Sequence, residues 1–133
     1  MSWDVSIINF SRDYSSTEEI PDNEQPLPLG RLADIHAAIL EHFPDTDLRD
    51  PTWGTYDCKF GSIEFNIGTE DPVDSMMLHV RASNEIVPPI IEMCRRNNWS
   101  GLDCSNGEFL EKSNNPSSGI EVWRKYFNKV IGR

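Results

Sequence analysis

Residues 62–67 read Ser62-Ile63-Glu64-Phe65-Asn66-Ile67, and residues 76–82 read Met76-Met77-Leu78-His79-Val80-Arg81-Ala82. Both runs alternate apolar and polar side chains with period two, the mark of a strand that buries one face and leaves the other to solvent. In the first, Ile63, Phe65 and Ile67 oppose Ser62, Glu64 and Asn66. In the second, Met76, Leu78, Val80 and Ala82 oppose Met77, His79 and Arg81. Residues 53–60 form another strand, joined to the first through Gly61-Ser62, a connection short enough for a hairpin.

Outward from this centre the periodicity changes. Residues 3–10 predict a strand with Trp3, Val5 and Ile7 on one face. Residues 11–29, with Pro21, Pro26 and Pro28 and few apolar side chains, read as a long loop holding a possible helical turn at Ser16–Ile20. Loops of this length are often functional or mobile. Residues 30–43 place Leu32, Ile35, Ile39 and Phe43 at helical spacing, and Pro44 stops them. A second helix follows Ser83-Asn84. Pro88 and Pro89 fit only its first turn, where backbone N–H groups have no intrahelical partner, and Val87, Ile90, Ile91 and Cys94 make its apolar stripe. Residues 102–105 and 108–111 flank Asn106-Gly107 as a fifth strand or small hairpin. Ser118 and Glu121 have the spacing of a capping box, and Ile120, Trp123, Phe127, Val130 and Ile131 mark a C-terminal helix.

The order β-α-β-β-β-α-β-α predicts a single α+β domain over residues 1–133. Its expected architecture is a sheet of about five strands, antiparallel or mixed, with helices packed on one face. The β-α-β halves suggest a ferredoxin-like variant with an added hairpin strand and a terminal helix.

The 133 residues carry 12 Lys and Arg against 22 Asp and Glu, a net charge of -10. Residues 1–74 hold 16 acids and 4 bases; residues 75–133 hold 6 acids and 8 bases. Nucleic-acid affinity draws on cations that displace counterions from phosphate, so this chain is expected to bind no nucleic acid. For the same reason it is expected to avoid anionic membranes, and no apolar run is long enough for a membrane span. The opening Met1-Ser2-Trp3-Asp4 lacks a basic region and apolar stretch, which predicts a cytoplasmic protein.

Three cysteines, Cys58, Cys94 and Cys104, show no CxxC spacing, and the three histidines show no ligand spacing around them. Free buried thiols, no metal and no cofactor are expected. Glycine-rich phosphate loops and the GxSxG elbow are absent from the sequence. Asp45-x-Asp47-x-x-Asp50 lacks the central glycine and terminal glutamate of a calcium loop, so solvated loop acids are the expectation there.

Two candidate sites remain. The acidic loop Asp45, Asp47 and Asp50 runs into Trp53 and Asp57. Carboxylates beside an exposed aromatic suit a basic protein partner, with Glu70 and Asp71 as further contacts. The alternative is a small-ligand site or enzyme on the polar sheet face, where Glu64, His79 and Arg81 come within cross-strand reach. A histidine there could serve acid–base chemistry; exposed cross-strand ion pairs would look the same in sequence.

Trp53-Gly54-Thr55-Tyr56, Gly61-Ser62-Ile63-Glu64-Phe65-Asn66-Ile67-Gly68, Met76-Met77-Leu78-His79-Val80-Arg81 and Asp103-Cys104-Ser105-Asn106-Gly107-Glu108-Phe109 resemble a group of small bacterial proteins of uncharacterised function. The likeness covers most of the chain after about residue 25 and brings no catalytic residues with it. In size and acidity the chain is also similar to cytoplasmic immunity proteins of bacterial toxin systems. That resemblance implies a non-enzymatic inhibitor that occludes a basic toxin.

Overall fold

The computed structural model describes residues 1–131. The alternating runs become strands β1 (Trp3–Ile8), β2 (Trp53–Cys58), β3 (Gly61–Asn66), β4 (Met76–Ala82) and β5 (Ser100–Asp103). They form one sheet in the order β2-β3-β4-β1-β5. Every neighbouring pair is antiparallel, which decides between the antiparallel and mixed alternatives. Helices α1 (Leu32–His42), α2 (Val87–Asn97) and α3 (Ser118–Val130) complete the α+β fold.

The period-two pattern sets the layering. Trp3, Val5, Ile7, Ile63, Phe65, Leu78 and Val80 are all buried on one sheet face. They join Ile35 and Ile39 of α1, Ile90, Met93 and Cys94 of α2, and Ile120 of α3 in one apolar cluster. Full burial of each such side chain contributes about 1.5–3 kcal/mol. A one-residue slip of any strand would expose its whole set, so the pattern also fixes the register. Among the described residues no helix is long and apolar enough to cross a membrane.

Several boundaries differ from the sequence reading, each for a local reason. β1 stops at Ile8 because Asn9 pairs instead with Leu27. β5 begins at Ser100, earlier than expected. Asn98 ends α2 in a left-handed conformation (φ 56°), Trp99 N–H donates to the Cys94 carbonyl at 2.8 Å, and the chain enters the sheet at once. The return segment after Asn106-Gly107 is irregular, touching β5 through a single bridge between Leu102 and Phe109.

The expected capping box at Ser118 does not form. Ser118 is already helical, and Ser117 before it makes no side-chain cap. A buried carboxylate lies against this end of the helix, although its Oδ2 accepts no hydrogen bond from the described residues. Asp103 Oδ1 accepts Trp3 Nε1 at 3.0 Å and the Ser105 N–H and hydroxyl at 2.9 and 2.6 Å. Its Oδ2 lies against Gly119 in the first turn of α3, where a negative charge complements the helix dipole.

The loop over residues 11–29 is tied down. Glu24 accepts the Ser11 N–H at 2.9 Å and the Ser11 and Tyr14 hydroxyls at 2.6 Å each, and the expected helical turn is a short 3-10 turn, Thr17–Glu19. Nor are all the thiols buried. Cys94 is, Cys58 is half-buried and Cys104 is exposed.

Candidate functional site: the bare face of the sheet

The strands that bury one set of side chains present the other set, each half-buried or exposed, on the face away from the apolar cluster; α3 meets its margin, where Asp4 and Cys104 line a cleft with Val122, Trp123 and Tyr126. Register lines these side chains up in rows. Thr55 of β2 opposes Glu64 of β3, Glu64 opposes His79 of β4, and His79 opposes Asp4 of β1. The neighbouring row runs Trp53, Asn66, Met77, Ser6 and Leu102. On the other side lie Asp57, Ser62 and Arg81.

The centre of this face is a hydrogen-bonded plate. Arg81 Nη1 donates to Glu64 Oε1 at 2.7 Å, and Trp53 Nε1 donates to Glu64 Oε2 at 3.1 Å. Both oxygens of Glu64 are therefore engaged. Arg81 Nε also donates to the Met1 carbonyl at 2.8 Å. His79 Nδ1 and Asp4 Oδ1 are 2.9 Å apart. The Trp53 indole stacks on the His79 ring, with centroids 5.8 Å apart and planes 21° from parallel.

These ion pairs sit at a third to two-fifths side-chain exposure on Arg81, Glu64 and Asp4. At such exposure a pair contributes about 0–1 kcal/mol, so their consequence is the fixed position of Trp53 more than stability. The Asp4–His79 pairing has the form of an imidazole oriented by a carboxylate. The thiol of Cys104, on the exposed residue that follows β5, is held up by desolvation of the sulfur itself and then by the Asp4 charge.

The acidic loop meets the same plate at the β2 edge. Asp47 and Thr55 pair backbone to backbone. A notch of about 280 Å³ is lined by Asp47, Arg49, Asp50, Trp53 and Thr55. Arg49 grips Asp47 with Nη2 at 2.6 Å from Oδ2. That bond, more than charge alone, holds the Asp47 carboxyl down at about 2. Asp50 is lowered by bonds from the Thr52 hydroxyl and N–H. Asp57 is exposed on the plate itself.

The remaining candidates lie elsewhere. Asp45 occupies a left-handed turn (φ 68°) after α1. There its charge adds to burial and to the Cys58 thiol in raising the Tyr56 phenol, whose ring packs edge-on against Phe43 in the core. Glu70 is exposed in the β3–β4 loop. Asp71 accepts the Leu32 N–H at 3.1 Å and so caps the start of α1.

Sequence reasoning missed Asp4. Its polar placement between Trp3 and Val5 was visible, but nothing in the sequence put β1 beside β4. It also missed that Trp53 bridges the two expected sites. Among the described residues no three His, Cys, Asp or Glu side chains converge as a metal site requires. No protein-family model, no curated protein and no solved structure matches this chain.

Proposed function

We propose that this protein is a binding module of the immunity type, which lays its bare sheet face and the acidic loop before β2 (residues 45–52) against a basic protein partner and blocks it by occlusion. The observation that carries this reading is the Trp53 side chain, bonded to Glu64 and stacked on His79. Through it the acidic loop and the polar sheet face are one continuous surface. Asp50 at its margin and Asp57 on the plate offer exposed carboxylates, with Asp47 paired to Arg49 beside them; opposite charge there speeds encounter and disfavours wrong partners. Trp53, held in place and half-buried, suits the central anchor that dominates many interfaces.

The notch on this face favours a macromolecule over a metabolite. At about 280 Å³ it falls at or below the volume of ligand pockets, roughly 300–1,000 Å³. The second reading, acid–base chemistry on a small ligand, rests on the Asp4–His79 pairing and predicts a thermal shift with some metabolite that His79→Ala abolishes. We also read the sheet as a ferredoxin-like variant, since β4 and β5 flank β1 and are joined by α2. The cytoplasmic setting and the bacterial kinship belong to the same proposal.

The test is calorimetric titration against the basic toxin domains encoded beside the gene. A partner should bind with a 1:1 stoichiometry. Trp53→Ala should cost about 2 kcal/mol, near a thirtyfold loss of affinity. Asp57→Lys should slow association and weaken its salt dependence. Absence of binding by every neighbouring product, or full affinity in both variants, overturns the reading.

A further inference from the structure

On the helix side of the sheet, remote from the Trp53 plate, a cleft of about 560 Å³ opens where the C-terminal end of α2, the start of β5 and the segment after β1 meet. Phe10 and Trp99 supply aromatic walls, and Arg12, Asp13, Arg95, Glu111 and Lys112 supply the charges. One oxygen of Glu111, Oε1, accepts the Gly101 N–H at 2.8 Å. Its Oε2 is buried and has no hydrogen-bond partner. Burial pushes the Glu111 carboxyl up, against the lowering effects of the Gly101 bond and of the Lys112 and Arg95 charges.

The cations around it are unevenly used. Lys112 Nζ pairs with Asp13 at 2.6 Å. Among the described residues neither Arg12 nor Arg95 has a carboxylate partner, although acids outnumber bases 22 to 12 in this chain. Arg95 reaches only the Glu111 backbone carbonyl, at 3.5 Å. Its position in the last turn of α2 complements the helix dipole; the Arg12 charge acts on the Glu24 carboxylate without closing to an ion pair.

A simple anion entering this cleft would meet the Glu111 carboxylate, and a simple cation would meet two guanidinium groups. A molecule carrying both charges uses both. We propose that this cleft binds a small zwitterion of the α-amino acid class, with its ammonium on Glu111 and its carboxylate on Arg95 and Arg12. Guanidinium groups hold carboxylates through paired hydrogen bonds, and the Phe10 ring lines the space for the ligand side chain. Two guanidinium groups favour a ligand with a second carboxylate, so acidic amino acids bind tightest. Because Oε2 is shut off from solvent here, the Glu111 carboxylate turns outward on binding, and the Gly101 N–H reports it.

The experiment is isothermal titration and thermal shift with free L-amino acids at millimolar concentrations, with acetate and inorganic phosphate alongside. A saturable response is expected, largest for aspartate or glutamate and at least about tenfold weaker in Arg12→Gln or Arg95→Gln. The Gly101 amide resonance should move on titration. Glu111→Gln keeps an oxygen for Gly101 and should fold but lose ammonium recognition; if it fails to fold, the exposed Arg12→Gln decides alone. Absence of any saturable response, an equal response in the arginine variants, or equal affinity for acetate overturns the proposal. None of these outcomes bears on the Trp53 surface.

Discussion

Gly119→Ala sets two physical effects against each other and gives them opposite signs. Gly119 is the second residue of α3, and in a helix alanine is favoured over glycine by about 1 kcal/mol. Packing argues the other way. A Cβ at this position would overlap Asp103 Oδ2 and lie 2.7 Å from Trp3 Nε1. Neither neighbour is a flexible surface group, since Trp3 and Asp103 are each 1% exposed. Forcing a methyl into a packed interior costs about 1–3 kcal/mol. Separating Trp3 Nε1 from the buried carboxylate forfeits a charge-assisted bond of about 1.5–3 kcal/mol. The net expectation is a loss of about 1.5–5 kcal/mol, or a fall in Tm of about 5–20 °C for a chain of this size. Urea unfolding followed by far-UV circular dichroism measures it. The double variant with Asp103→Ala should lose less than the sum of the two single variants, because the clash with Oδ2 is then gone, and the coupling energy isolates that contact. An unchanged or raised midpoint in Gly119→Ala would refute the packing argument and leave helix propensity as the larger effect.

Three further outcomes follow from the same geometry. Asp47, held at about 2 by Arg49, should stay ionised at pH 3 in a carboxyl carbon NMR titration, and Arg49→Ala should return it to the ordinary range. Because its folded value is depressed, its contribution to stability is present above the ordinary carboxylate range and disappears as pH falls from about 4 through about 2. With a thiol-reactive disulfide in native buffer, Cys104 should react first and Cys94, buried and pushed up by desolvation, only after unfolding; early reaction of Cys94 would contradict the packing of α2 on β5. Glu24→Ala removes three hydrogen bonds from the residue 11–29 loop. Limited proteolysis should then cut within that loop much faster than in the native protein, while the sheet amides keep their hydrogen-exchange protection.

What could be read in the sequence was whatever repeats along one segment. The alternation in Ile63-Glu64-Phe65 and Leu78-His79-Val80 named the buried and open faces without any partner strand, because side-chain direction in a strand is local. Helical spacing located α1, α2 and α3 for the same reason. Local chemistry was less dependable where a tertiary contact could replace it. The Ser118–Glu121 pair has capping-box spacing, yet the first turn of α3 rests against Asp103, a residue whose burial no local pattern announces. Asp71 reads as a loop acid and acts as the cap of α1, across 39 residues of chain.

The sequence by itself determined which side chains face out: Glu64, His79, Arg81 and Trp53 were all legible as polar-face or exposed residues. Only the tertiary structure decided that they touch. Strand order brought Asp4 to His79 across 75 residues, and the β2–β3 register, with Trp53 opposite Asn66, put Trp53 on the diagonal to Glu64. The physical reason is that a strand's own periodicity fixes direction, whereas adjacency is chosen by the whole core, in which the order β2-β3-β4-β1-β5 lets one set of apolar side chains close on three helices at once.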